Sequence, residues 1–433
     1  MTVMEIAIVI TLAAGVVKGL AWLRQRLRRR RTEGGVPLGQ ASIDSAVPTF
    51  RIVSLGLQGA GKTLLLASMF HELQAPTRQS YYLSAAPADV AKLTEWFATM
   101  ADTTDPGGWP AGTTLSETRR FAFTVKTRTA DSVHDILRLD YLEYAGELLT
   151  RTDPAGAERQ AELFAQVQSA DAVLGILDGQ RIRQHLDGEA RGWAELDRTL
   201  NILIPHMMNI TCPISFVLTK WDLLADLHED EDTRLARVRD LLMANDHFRA
   251  LVNTHGTQRV VRLIPVSAVG RGFATIDQHG HVVKVPSAQA QPTYADVPLS
   301  AVVPDVFDQA EMRLHEEFTA DLDEEIRQWT RRTPLERLSS AATLAGQSAG
   351  RALLQYIGTP AVTVMGDVMM GMFLDSRRRR ADTEEAQVDR QVNQAERRVQ
   401  EFLHARRRVL RDMRGKPDQL EGRLPSSRLT AGL

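Results

Sequence analysis

Disulfide bonding is the first thing the sequence excludes. Its 433 residues hold a single cysteine, Cys212, so no bridge within the chain can form, and a reducing compartment suits it. A strong charge of one sign is missing too. Against 52 Lys and Arg stand 54 Asp and Glu, a net −2 that gives the molecule as a whole no nucleic-acid signature, and no specific nucleic acid is expected as a partner. Aromatic residues are few at 6%, yet 43% hydrophobic and 24% charged residues describe a folded chain and exclude a disordered one. The length suggests two to three domains.

What charge there is comes in blocks. Arg24, Arg26 and Arg28 to Arg31 form one, and Arg377 to Arg380 another. The first follows an apolar run, residues 6–23, broken only by Thr11, Lys18 and two glycines. Eighteen helical residues span about 27 Å against a hydrocarbon core of roughly 30 Å. Only residues 1–5 precede the run, and none is basic, the reverse of a cleavable signal peptide. Residues 1–31 therefore read as a single transmembrane anchor with a basic flank. The rest of the chain is expected on the cytoplasmic side of an inner, bacterial-type membrane. Residues 32–48, rich in Gly, Pro and Ser, read as a linker.

Residues 50–55 predict an apolar strand that runs into Gly56-Leu57-Gln58-Gly59-Ala60-Gly61-Lys62-Thr63 and then an apolar helix over 64–73. This is the GxxxxGK[ST] pattern in the strand–loop–helix setting that it requires. The glycines let backbone wrap phosphates, and the amides of residues 59–63 converge at a helix N-terminus that favours anions. Lys62 is placed to reach β- and γ-phosphates, and the Thr63 hydroxyl to ligate Mg²⁺.

Downstream, Leu139-Asp140-Tyr141-Leu142-Glu143-Tyr144-Ala145-Gly146-Glu147 reads as a strand ending in an acidic turn. Asp140 is the second candidate carboxylate beside Glu143, although strand alternation points it the other way. The apolar strand 214–218 ends in Thr219-Lys220-Trp221-Asp222, and 263–266 ends in Ser267-Ala268. A carboxylate such as Asp222 can accept from both guanine N1–H and the 2-amino group, a pair adenine lacks. In Trp109-Pro110-Ala111-Gly112-Thr113-Thr114 a threonine is available to close on metal and γ-phosphate, and either Thr113 or Thr114 can be that residue.

These motifs, in this order between Gly56 and Ala268, resemble the TRAFAC-class P-loop GTPases, in particular bacterial double-GTPase-like domains with a variant ExxG turn. The resemblance implies GTP or GDP as ligand with Mg²⁺. Thr63, Thr113 and Glu143 lie on the metal side, with Glu143 in the place of the family's aspartate. Gly146 reads the γ-phosphate, and Glu147 stands where a water-positioning glutamine is usual. The nucleotide set is Gly56, Gln58, Gly59, Ala60, Gly61, Lys62, Thr63, Thr219, Lys220, Asp222, Ser267 and Ala268, with the Ala268 amide near guanine O6. Lys62, Gly146 and Glu147 carry the catalytic reading. Thr219 replaces the commoner asparagine.

The fold expected is α/β, a mainly parallel sheet flanked by helices over residues 49–300. It includes an alternating edge strand over 119–125, a continuous apolar strand over 172–177, and helices over 155–169 and 181–207. Residues 273–299 read as an inserted hairpin or loop with His279-Gly280 at its tip. Residues 301–380 read as helical with a Met-rich apolar stretch at 360–374, open to core, interfacial or membrane-spanning roles. Val388, Val392, Ala395, Val399, Phe402, Val409 and Met413 follow 4-3 spacing broken by Arg406. They predict an amphipathic helix over 381–414 that pairs with itself or an effector protein, followed by a loose tail over 415–433. The function expected is a membrane-anchored nucleotide switch that hydrolyses GTP slowly. The alternatives are a GTP-gated scaffold without hydrolysis and, against Asp222, an ATPase of the same fold.

Overall fold

The computed structural model describes residues 47–76, 79–113, 118–130, 132–150, 154–257, 259–307 and 381–430. The expected anchor (6–23), its arginine flank, most of the linker and the apolar stretch 360–374 lie outside them. Among the described residues no helix is long and apolar enough to cross a membrane.

Residues 49–308 and 402–433 form one compact unit. Its centre is a seven-stranded sheet in the order β2-β3-β4-β1-β5-β6-β7. The strands are β1 (Thr49–Leu55), β2 (Tyr81–Ser84), β3 (Thr118–Arg128), β4 (Val133–Tyr144), β5 (Ala172–Asp178), β6 (Ile214–Thr219) and β7 (Arg262–Pro265). β4, β1, β5, β6 and β7 run parallel, and β2 and β3 extend the sheet antiparallel. The inner strands are continuously apolar because helices cover both of their faces: every residue of β6 is buried, and all but the last of β5. The helices are α1 (Lys62–Leu73), α2 (Pro87–Ala101), α3 (Pro154–Gln168), α4 (Gly179–Leu186), α5 (Ala190–Met207), α6 (Glu231–Ala244) and α7 (Asp246–Gly256). All parallel strands end on one side, and the phosphate-loop, Glu143, Thr219 and Ser267 segments follow those ends, where ligands bind in such sheets.

Several expectations are corrected. β3 alternates buried and exposed residues but is not an edge, since β2 and β4 flank it. The alternation reflects one wet face rather than an unpaired side. The helix expected over 181–207 is two, divided by a turn in which Gly188 takes φ 86°. The hairpin after Ala268 is present as β8 (Ala274–Ile276) and β9 (Val282–Lys284). A boundary at residue 300 would cut a helical stretch at 297–307.

The largest correction concerns the C-terminal region. α8 (Ala381–Arg423) does not stop at 414, and no loose tail follows in the described residues. A 3-10 turn over Pro425–Ser427 leads to Arg428, which bridges Arg262, and Leu429 N–H donates to Val261 O at 3.0 Å. Phe402, Val409 and Met413 are buried in the unit itself, each contributing about 1.5–3 kcal/mol by leaving water. The half of the apolar stripe from Phe402 onward is thus consumed by the chain's own domain and is not open to a coiled-coil partner. Arg406, which interrupts the stripe, is buried with its guanidinium over the Phe307 ring, 5.1 Å from the centroid.

Candidate functional site

β1 delivers the chain into the glycine-rich loop, and Gly61, at φ 80°, caps α1 in a conformation that side chains rarely adopt. Lys62 opens the helix and turns back into the loop. Its Nζ donates to Gly56 O at 2.8 Å and Leu57 O at 3.1 Å. Burial pulls the Lys62 ammonium down to about 8, although the charge of Glu143 resists the shift. Gln58, Gly59, Gly61, Lys62 and Thr63 line a cavity of about 850 Å³. Gly56 and Ala60 serve it from behind through their carbonyls.

Three separately read motifs meet at one atom. Thr63 Oγ1 donates to Glu143 Oε1 at 2.7 Å, and Thr113 Oγ1 donates to the same oxygen at 2.8 Å. Glu143 Oε2 is buried without a hydrogen-bond partner. Two hydroxyls and a carboxylate with an unsatisfied oxygen are the hard, oxygen-only donor set that suits Mg²⁺. Thr114 lies outside the described residues. Asp140 is not in the site: Arg120 holds it at 2.5 Å, as the alternation along β4 requires.

At the other end, the Thr219 hydroxyl lies 2.7 Å from Ala60 O and 3.0 Å from Leu177 O, two carbonyls that share its one proton. One hydroxyl thereby fastens the β6 terminus to the phosphate loop, which accounts for a threonine at this position. Lys220, in the left-handed region at φ 53°, donates to Asp178 Oδ2 and to Gln180 Oε1, each at 3.0 Å. Asp222 lines the cavity, and its Oδ1 accepts from Ser267 Oγ at 2.6 Å. Ser267 Oγ in turn accepts from Val269 N and Gly270 N. Burial raises the Asp222 pKa, a cost that donors on a bound base would offset. Ala268 also lines the cavity, whereas Ser267 acts by orienting Asp222.

Gly146 opens the 3-10 turn Gly146–Thr150 hard against the phosphate loop. A Cβ there would stand 2.1 Å from Gln58 N, so no other residue fits this arrangement. Glu147 is not brought together with Lys62 and Thr63. It lines a smaller cavity of about 260 Å³ with Asp178, Arg181 and Glu195.

Residues the sequence reading missed also border the site. Arg119, registered opposite Glu143 across β3 and β4, donates to Thr63 Oγ1 at 3.3 Å and to Gly112 O at 3.2 Å while lying over Trp96. Gln180 holds Lys220 from one side and the hairpin from the other. In the hairpin tip, Asp277 Oδ1 accepts from His279 N and His281 N at 2.8 Å each, closing the turn.

Residues 51–262 match the family model described as Double-GTPase 2. Among solved structures, one described as sup35 complexed with GDP is similar at 15% identity, over 60% of this chain and 47% of that chain, with a TM-score of 0.28. This chain thus spans about half of that structure's length. No curated protein sequence matches. With the strand–loop–helix phosphate site, the strand-terminal Asp222 and that family match on one segment, residues 51–262 of this chain are a P-loop GTPase domain similar to the double-GTPase family.

Proposed function

We propose that the chain is a guanine-nucleotide switch tethered to the inner membrane by residues 6–23. It binds GTP or GDP with Mg²⁺ and hydrolyses GTP to GDP and phosphate slowly. One observation carries the switch reading: Thr113, from the first switch segment, and Thr63, from the phosphate loop, share Glu143 Oε1. A γ-phosphate with its metal would compete for those hydroxyls and so act directly on the switch segment. Thr63, Thr113 and Glu143 would hold Mg²⁺, which when bound neutralises charge between the β- and γ-phosphates. Lys62 binds the same phosphates, Gly146 offers its amide toward the γ position, and Arg119 adds a fixed positive charge at this end. Asp222 and Lys220 bind the base, with Thr219 keeping them in register with the loop.

Intrinsic turnover is set below about one per minute, because Glu147, in the place of the usual water-positioning glutamine, lines the smaller cavity. An effector protein or self-association would then supply acceleration. The location of Glu147 in the smaller cavity favours a second reading, a GTP-gated scaffold that does not hydrolyse. Single-turnover assays with GTP and ATP decide both points. Guanine-selective binding with slow phosphate release supports the switch, binding without release supports the scaffold, and equal binding of ATP overturns the guanine reading. For the tether, deletion of residues 1–31 should yield soluble protein that still binds nucleotide. Full-length protein recovered in the soluble fraction after mild lysis would contradict it.

A further inference from the structure

The hairpin β8–β9 lies outside the phosphate-binding elements, yet it is bonded to both walls of the cavity. Lys284, 2% exposed, spends its ammonium on three carbonyls: Thr99 O at 2.7 Å, Asp102 O at 2.6 Å and Gly108 O at 2.6 Å. Two of these lie at the C-terminal end of α2, where a cation is favoured, and the third lies in the segment that leads to Thr113. The backbone of Lys284 adds a bond to Pro106 O at 2.9 Å. Trp109 Nε1 donates to Val282 O at 2.9 Å, and the indole meets the Phe273 ring edge-on at 6.4 Å. Met100, Val269 and Phe273 form a small core on which Trp109 and Ala268 both pack, so the base-side loop and the switch segment share one apolar cluster.

The tip of the hairpin is fixed from the opposite side. Gln180 Nε2 donates to Gly280 O at 2.7 Å, and its Oε1 accepts from Lys220 Nζ at 3.0 Å. An unbroken path therefore runs from Lys220 through Gln180 and the hairpin to Trp109, four residues before Thr113. Lys220, Gln180, Gly280, Val282, Trp109 and Thr113 all line the same cavity. Whatever fills it is enclosed between the base loop and the switch segment, with the hairpin joining the two.

We infer that the hairpin Ala274–Lys284 is a nucleotide-retaining clamp, in which Trp109 and Gln180 are the positioning residues that couple engagement of the base to the closed first switch segment. The inference rests on the guanine-nucleotide reading above. It assigns the hairpin to release rather than to chemistry: a bound nucleotide leaves only after Trp109 undocks from Val282 and Phe273. Loss of one docking point should accelerate dissociation and should not slow association, since the undocked state is the one a ligand both enters and leaves.

The test uses the full chain loaded with a fluorescent GDP analogue and chased with excess GDP. Trp109→Phe removes the indole donor and keeps a ring; Trp109→Ala removes both. Dissociation should rise about threefold and about tenfold respectively, with association no slower than wild type. Gln180→Ala, which leaves the apolar cluster intact, should also release the analogue about tenfold faster and raise amide exchange over residues 105–113 in the GDP-bound protein. If Trp109→Ala fails to fold, Gln180→Ala and Trp109→Phe carry the same comparison. Unchanged release and unchanged exchange, with tight binding by wild type, overturn the clamp and leave the nucleotide reading standing. Failure of wild type to bind the analogue overturns the nucleotide reading itself.

Discussion

The two ends of the cavity are built on different principles. At the base end each polar group has a partner that fixes it in a useful direction: Ser267 aims Asp222, Gln180 and Asp178 hold Lys220, and Thr219 ties both to the phosphate loop. At the phosphate end the groups hold one another. Lys62 is folded onto loop carbonyls, two threonines crowd one oxygen of Glu143, and the other oxygen is buried without a partner. The first end can receive a ligand with little rearrangement, while the second must exchange internal bonds for ligand bonds. That asymmetry is what a switch needs, because recognition stays constant while the phosphate state alters the structure.

The comparison breaks most visibly at Lys62. Lys62→Ala should lower nucleotide affinity by about a thousandfold or more in calorimetry. It should also raise the melting temperature of nucleotide-free protein, since it removes a buried ammonium. An unchanged affinity would mean that the loop does not hold phosphate. At the base end, Asp222→Asn should weaken GTP binding by about a hundredfold and admit xanthosine triphosphate, read by competition, with the melting temperature little changed. If both variants lost affinity and stability alike, the two ends would not be separable.

Titration sharpens the contrast. In the free protein Lys62 sits at about 8, below its ordinary 10.5, and phosphate would raise it. Above pH 8, binding must then take up a proton. Affinity should fall by up to about tenfold per pH unit above 8 and stay flat below it, as calorimetry in buffers of different ionisation enthalpy can detect. Folding carries the opposite sign. The buried charge costs stability in full below pH 8, and that cost is relieved as pH climbs from about 8 toward 10.5. The smallest effect is expected at Glu147, whose side chain lines the other cavity. Glu147→Gln should change single-turnover hydrolysis by less than roughly tenfold, and a complete loss would make it a general base.

The parallel strands and their terminal motifs were legible because a strand buried on both faces is a continuous apolar run, and the functional residue follows where the run ends. β1 with Lys62, β6 with Asp222 and β7 with Ser267 all read this way. Arg119 was hidden by the alternation of β3, which looks the same for an edge and for an inner strand with one wet face. Lys284 and Gln180 were hidden for another reason. Their partners lie far away in the chain, and no sequence period records such pairing. For the C-terminal helix, 4-3 spacing cannot say whether the apolar stripe meets another chain or its own domain. Arg406 was the available signal, since a charge inside such a stripe asks for a ring to lie on.

The bond from Leu429 to Val261 also governs how this protein comes into being. β7 leaves the ribosome long before residues 402–430, so during synthesis the β7 edge lacks its bridge to Arg428, and toward the other end of the sheet His134 lacks its neighbour Phe402. Such edges recruit other strands while they wait. Completion of the GTPase domain is therefore a late event in translation, and a ribosome that stalls within residues 309–401 would present the sheet with neither end covered by this segment.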